Sequence, residues 1–400
     1  MSWIAEIPYG AYWSTPFAKW QGSFAGLHSI EFAAHVARRE LAARDIAPER
    51  IDYGVLGTSV PQKGSFYGLP WLTGMIGAGH VGGPTISQAC ATGARIIQAG
   101  AQEIQAGGAD VVLAVAADRT SNGPHLYYPA PAGPGGTGVA ENWVLDNFNH
   151  DPLGGHPMLE TAENVARKYG IGTEEQHALV LQRSAQYQAA CADDHAFHRR
   201  YMSLPFEVPK PGFAAVSHRL TGDEGVIPGD AAKLRALKPV QRGGTVTYGG
   251  QTHPADGSAG MILTTPARAA ELSRDPAIRI RLLGFGLART ELAHMPEAPV
   301  RAAARALQAA GLEIGAIDAV TSHNPFAVND IVFARETGFD PGRMNAFGCS
   351  LIWGHPQAPT GLRATIELIE ELALRGGGHG LFQGCAAGDT AMALVLKVGA

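Results

Sequence analysis

Apolar residues recur at helical spacing from Ile30 to Ala47, where Ala33, Val36, Ala37, Leu41 and Ile46 are interleaved with charges, and this predicts an amphipathic helix. Ile51-Asp52 then opens a short strand, Tyr53 to Thr58. The run Ala109 to Ala117 is almost continuously apolar, carries three valines and is bounded by Gly107-Gly108 and Asp118-Arg119, the pattern of a central strand covered on both faces. Between these strands, Ala91 to Gln105 reads as a sparsely charged helix. The pattern returns late in the chain, with a helical stretch over Val300 to Ala310 and a strand opening at Ile317-Asp318. In the middle, Ser121 to Ala140 is rich in Gly and Pro, Glu160 to Gln188 reads as one or two polar helices, and Pro205 to Pro228 reads as irregular. Strand-like Thr245-Val246-Thr247 and apolar Gly260 to Thr264 return the chain to the first core. Alternating strands and helices predict an α/β fold.

A repeat is visible within that order. Gln383-Gly384-Cys385-Ala386-Ala387-Gly388 matches Gln88-Ala89-Cys90-Ala91-Thr92-Gly93 at four of six positions. The Ile-Asp pairs are 266 residues apart and the cysteines 295, so this alignment requires an insertion of about 29 residues, placed at Gly338 to Pro359. Both cysteines are then expected at equivalent strand-to-helix elbows. The expected division is a first half at 1–118, completed by 245–271, an inserted loop subdomain at 119–244, and a second half at 272–400.

Composition narrows the function. A net charge of -5 with no basic cluster leaves nothing to neutralise a run of phosphates, which argues against nucleic acid. With 46% hydrophobic and 17% charged residues the chain is not disordered, and 51 Gly with 26 Pro fit a tightly turned enzyme. Four irregularly spaced cysteines fit a reducing compartment. The N-terminus lacks a basic region and apolar core, so a cytoplasmic location is expected. Lys63 to Arg95 is uncharged in between, but Gly and Pro interrupt it repeatedly, giving buried loop and strand and no membrane span.

Cys90 is placed to open a helix, where unsatisfied N–H groups favour a thiolate nucleophile. A base or cation must stand near it, and His355 in Gly354-His355-Pro356 and His323 at the end of the Ile317 strand are the candidates. Cys385 is a second thiol, and Cys349 is expected to pack near the site. The run Cys191, Asp193, Asp194, His195, His198 reads as a solvated face of a polar helix, with no metal expected. Gly133 to Gly138 lacks the Lys-Ser/Thr pair of a phosphate loop and reads as a pocket-lining loop.

Gln88 to Gly93, Met158 to Ala166, Gly249 to Gly257, His323-Asn324-Pro325-Phe326-Ala327, Asn345 to Gly361 with Gly354-His355-Pro356, and Cys385 together resemble the thiolase family over nearly the whole chain. The resemblance implies a thiolase fold, two βαβαβαββ halves in five α-β-α-β-α layers with an inserted loop subdomain. It implies that Cys90 carries an acyl group, that His355 activates Cys90 and helps bind the thioester oxygen, that Cys385 is acid and base, and that His323 holds a water or the oxygen. The N–H groups of Cys90 and Ala387 would form a second oxyanion hole. CoA or acyl-CoA would be a substrate, with no permanently bound cofactor. A homodimer or homotetramer is implied, with an accessory subunit for CoA binding left open.

The departures from the family pattern are Pro325 beside His323-Asn324, Ala386-Ala387 in place of glycines, Gly348-Cys349, and Trp353 before Gly354. They leave the reacting atoms and change the walls. Met158, Pro325, Phe326, Phe347 and Trp353 are therefore expected to line the acyl pocket, covered by Tyr127 and Tyr128, and to suit a bulky or aromatic acyl group. The expected reaction is thiolytic cleavage of a 3-oxoacyl-CoA or the reverse Claisen condensation. Two alternatives stand beside it: a ketoacyl-synthase-like condensing enzyme, which needs no second thiol, and an inactive acyl-CoA binding protein.

Overall fold

In the computed structural model, which describes residues 3–399, the strands assemble into two large sheets and two separate hairpins. The first has the order Tyr12–Ser14, Ala255–Thr264, Val111–Arg119, Tyr53–Gly57, Thr85–Ile86, with Ala18–Lys19 also paired to the Ala255 strand. The second has the order Ile280–Arg289, Thr390–Val398, Gly378–Ala386, Ala319–His323. Val111 to Asp118 are buried, as the apolar run predicted, and so is all of Ala255–Thr264, including Asp256 and Ser258.

Helices Thr92–Gln105 and Ala358–Leu374 pack on each other between the sheets, while Ser29–Ala42 and Ala298–Ala310 cover the outer faces, giving five layers. The central helices approach closely because Gly93 and Gly361 meet there. A Cβ on Gly93 would lie 2.6 Å from the Leu362 nitrogen and 2.7 Å from the Ala358 oxygen.

The two halves repeat, but not in the alignment that the hexapeptide suggested. Tyr53 pairs with Val112 in the first sheet and Ala319 with Gly380 in the second, so Cys385 corresponds to Ala117 and not to Cys90. Cys385 lies on the strand Gly378–Ala386, which turns directly into Thr390–Val398 without an elbow into a helix. The central helices begin 266 residues apart, at Thr92 and Ala358, which puts the Cys90 position opposite Pro356, next to His355. No insertion is needed at 338–359. The six-residue match reflects small residues at two different turns.

Helices Met158–Tyr169 and Thr173–Ala190 fill the polar helical stretch of the middle region. The stretch expected to be irregular contains an antiparallel hairpin, Phe206–Pro209 with Val216–Leu220. Thr245-Val246-Thr247 forms no strand, because the N–H groups of Thr245 and Val246 donate to the Glu163 carboxylate at 2.8 to 3.0 Å. Among the described residues no helix is long and apolar enough to cross a membrane.

Candidate active site

Cys90 sits in the turn between the strand Thr85–Ile86 and the helix Thr92–Gln105. Ala89, at φ +45°, bends the chain, and Thr92 fastens the bend: its Oγ1 accepts from the Gln88 nitrogen at 2.8 Å and donates to the Ala89 oxygen at 2.6 Å. The elbow is where the sequence placed it, and burial there works against a thiolate. Burial pushes the Cys90 thiol up to about 12, and the N–H groups of Ala387 and of Cys90 itself offset this only in part. Its Sγ donates to Gln357 Oε1 at 3.2 Å.

The second half supplies the facing groups. Its loops are held by the segment 251–255 of the first half: Thr252 N donates to the Pro325 oxygen at 2.7 Å, His355 N to the His253 oxygen at 2.9 Å, and Ala255 N to the His355 oxygen at 3.2 Å. Gly354, at φ +95°, lets the chain pass His253, whose Nε2 would be 2.8 Å from a Cβ there. His323 and His355 are buried and stack face to face, with ring centroids 4.0 Å apart. His355 Nδ1 is bonded to Thr360 Oγ1 at 2.7 Å and His323 Nδ1 to Ser350 Oγ at 2.9 Å, leaving both Nε2 atoms buried without a protein partner. Burial pulls His355 down to about 3 and His323 well below the usual imidazole range, so both rings are neutral.

The Ser350 network assigns the His323 tautomer. Asn324 N donates to Ser350 Oγ at 3.0 Å, and the Ser350 hydroxyl donates to Asn324 Oδ1 at 3.1 Å, so His323 Nδ1 supplies the proton of its own bond. Its Nε2 is then an acceptor. Cys90 Sγ and one nitrogen from each histidine lie within 4.8 Å of one another.

Cys385 is fully buried, and its Sγ accepts from Asn329 Nδ2 at 3.3 Å. Burial raises its pKa well above the ordinary thiol value, and the nearby Cys90 raises it further. Underneath, a buried ion pair, Arg183 Nε to Asp330 Oδ2 at 2.9 Å, anchors Asn324, Ser322 and Asn345 through the Asp330 carboxylate. Cys349 belongs to this layer, accepting from Asn324 Nδ2 at 3.2 Å.

Comparison with known proteins bears directly on this arrangement. The thiolase N-terminal domain matches residues 11–267 and the thiolase C-terminal domain residues 277–398. The chain belongs to the thiolase family. It is 31% identical to an acetyl-CoA acetyltransferase of Pseudomonas aeruginosa over 96% of both chains, and 27% identical to the beta-ketothiolase BktB of Cupriavidus necator over 96% of both. The crystal structure of human mitochondrial 3-ketoacyl-CoA thiolase in complex with CoA superposes with a TM-score of 0.89 at 26% identity, covering 100% of each chain. This thiolase is an acyltransferase of the cleavage or condensation type; neither the synthase nor the inactive-binder alternative is favoured by these matches.

Of the expected pocket residues of this thiolase, Phe326 and Trp353 share an apolar cluster with Cys385 and Met158 packs against it, while Phe347 packs on the first core. Trp353 is fully buried between Phe17, edge-on at 5.2 Å, and the Arg363 guanidinium, 4.3 Å from its ring centre. Phe326 and Pro325 are buried, and Phe347 lies flat on Phe197 at 3.7 Å. Met158 is half-buried at the start of its helix, against the apolar cluster that contains Cys385. Tyr127 and Tyr128 are exposed on a hairpin, Tyr127 by 63%. The aromatic residues near the histidines are therefore mostly packing residues.

Sequence reasoning missed Gln357, two positions after His355, with φ +65° and its carboxamide against Cys90. It also missed Asp118, the last buried residue of the strand Val111–Arg119, which accepts from Ser59 N, Val60 N and Ala358 N at 2.9 to 3.0 Å, tying the two halves together behind the nucleophile. The apolar run ending at Asp118 was the available signal.

Proposed function

We propose that this thiolase transfers an acyl group between CoA and the carbon chain of a 3-oxoacyl-CoA through an acyl-Cys90 intermediate. The single observation that carries the reading is the convergence of Cys90 Sγ with the histidine nitrogens within 4.8 Å, both rings fixed through Nδ1. In cleavage, His355 Nε2 takes the proton of Cys90 as Sγ attacks the keto carbon. The thiolate and imidazolium form together, and their attraction in a low-dielectric site offsets the burial cost of each. The N–H groups of Cys90 and Ala387 meet the tetrahedral oxyanion. When the carbon–carbon bond breaks, Cys385 protonates the departing enolate, then takes the proton of the incoming CoA thiol.

His323, whose Nε2 is an acceptor, binds the thioester oxygen through a water that donates to both. His355, once protonated, donates to the same oxygen directly. A CoA substrate, a cytoplasmic location, a homodimer or homotetramer, and the division at 1–118 with 245–271, 119–244 and 272–400 belong to this same reading. The burial of Trp353 and Phe326 removes the main support for a bulky or aromatic acyl group.

Intact-protein mass spectrometry after incubation with a panel of acyl-CoA and 3-oxoacyl-CoA compounds tests the reading. A mass increment on Cys90 equal to the acyl group, discharged by CoA, is expected. No acylation by any 3-oxoacyl-CoA overturns it.

A further inference from the structure

The run expected to be a solvated helix face is not a continuous helix. The helix Thr173–Ala190 ends at Cys191, and Asp193, Asp194 and His195 all adopt left-handed backbone, at φ +50°, +54° and +61°. Asp193 and Asp194 do point to water, but the reversal turns the side chains of Cys191, His195 and His198 toward one another, with ligating atoms within 4.8 Å. The two Nδ1 atoms are 3.3 Å apart while the ring centroids are 5.5 Å apart, so the nitrogens lie between the rings and face each other edge to edge.

We propose that Cys191, His195 and His198 form a binding site, separate from the active site, for a thiophilic tetrahedral cation, zinc(II) by the chemistry of its ligands. Two nitrogens each about 2.05 Å from a tetrahedral zinc lie about 3.3 Å apart, the edge that the two imidazoles already span. His198 is buried, and its Nδ1 faces the Nδ1 of His195. Cys191 and His195 are half-buried, which leaves a side open for entry and for a water as fourth ligand. Asp223, the nearby carboxylate, is committed elsewhere: it accepts from Phe17 N at 2.7 Å, from Tyr187 OH at 3.0 Å and from Arg363 at 2.6 and 2.8 Å. Gly222 makes room for the second ligand, since a Cβ there would come within 2.8 Å of His195 Cε1.

On binding, the Cys191 thiol releases its proton to solvent and the sulfur donates a lone pair to the cation; no electrons are exchanged. The cation would tie the end of the long helix to the turn His198–Arg200, whose next residue, Tyr201, accepts from Ser14 N at 3.2 Å in the first sheet. Its role is structural.

The test uses the full-length protein, freed of metal by a chelator and titrated with zinc chloride and with cobalt(II) chloride. One zinc per chain is expected in the wild type and in Cys90→Ala, with a rise in Tm and, for cobalt, a thiolate-to-metal charge-transfer band. Loss of an outer-shell partner already costs a metal site about 10- to 100-fold in affinity, so loss of a ligand in Cys191→Ser or His195→Asn is expected to cost roughly 100-fold or more. Both positions are half-buried, so these variants are expected to fold, and circular dichroism checks that. Zinc that leaves with Cys90→Ala but stays with Cys191→Ser would assign the metal to the active site and overturn the proposal. So would the absence of binding tighter than millimolar in the wild type.

Discussion

Two clusters in this chain use the same three side chains, one cysteine and two histidines, with ligating atoms within 4.8 Å in each. In the active site the histidine rings stack face to face at 4.0 Å, each is held by a hydroxyl on its Nδ1, and one nitrogen of each lies near Cys90 Sγ. In the loop region the rings meet edge to edge and their nitrogens face each other. Nitrogens side by side suit one substrate oxygen lying in front of both; nitrogens meeting edge to edge suit a cation set off the line between them, about 2.05 Å from each. Residue type and spacing alone do not separate these cases. Ring orientation does, and it is set by what holds the nitrogen that does not react.

The largest expected effect separates the two thiols. Cys90→Ala removes covalent acylation and turnover completely, since no neighbouring group replaces the sulfur. The variant remains folded, because Cys90 is only half-buried and alanine fits the elbow. Retained acylation measured by mass spectrometry would move the nucleophile to another cysteine and break the comparison. Next is Cys385→Ser. A hydroxyl there has too high a pKa to exchange protons readily, and a positioned acid/base group contributes about 100- to 10,000-fold. Acylation of Cys90 from an acyl-CoA should persist at a reduced rate while cleavage and condensation fall by about 100- to 10,000-fold. Near-normal cleavage would remove Cys385 from the acid/base role.

A smaller effect is carried by pH. Because burial pushes Cys90 up to about 12 in the free enzyme, its thiolate fraction grows as pH rises toward that value. The iodoacetamide rate at Cys90 should therefore climb from pH 7 to pH 10 without a plateau, by about tenfold per pH unit. His355→Ala should lower the rate at neutral pH. A plateau below pH 8 would mean that a resting ion pair is already formed.

Much of this was legible in the sequence. The central strand Val111–Arg119 follows from its apolar run, and the helices at 29–42, 92–105 and 298–310 follow from apolar periodicity, because each buries a regular face. The elbow at Cys90 and the nearness of His323 and His355 to it were expected from their motifs, and the structure brings these three side chains together. The repeat register failed because six small residues at a turn carry little information, whereas strand pairing spans the whole sheet. The packing of Phe326, Phe347 and Trp353 was not legible for a related reason: they lie in loops or a single helical turn, where no period tells which way a ring faces. The hairpin at 206–220 was hidden by Pro205 and Pro209 and by an exposed second strand without alternation. The reversal at Asp193 to His195 has no glycine to announce it.

The smallest expected effect probes the claim that the tied nitrogen sets the orientation. Thr360 touches His355 and stands on the helix Ala358–Leu374, so Thr360→Val keeps the shape of the buried residue and removes only the bond to Nδ1. If that bond merely satisfies a buried nitrogen, the variant loses some stability and its kinetics stay unchanged. If it orients Nε2 toward Cys90, the loss appears in kcat with little change in KM, because the interaction matters when the proton moves and not when substrate binds. A tenfold fall in kcat, about 1.4 kcal/mol of transition-state stabilisation, is the expected size. Thr360→Ser, which keeps the hydroxyl, should restore most of it. A serine variant as slow as the valine variant would mean that packing, and not the hydrogen bond, holds the ring.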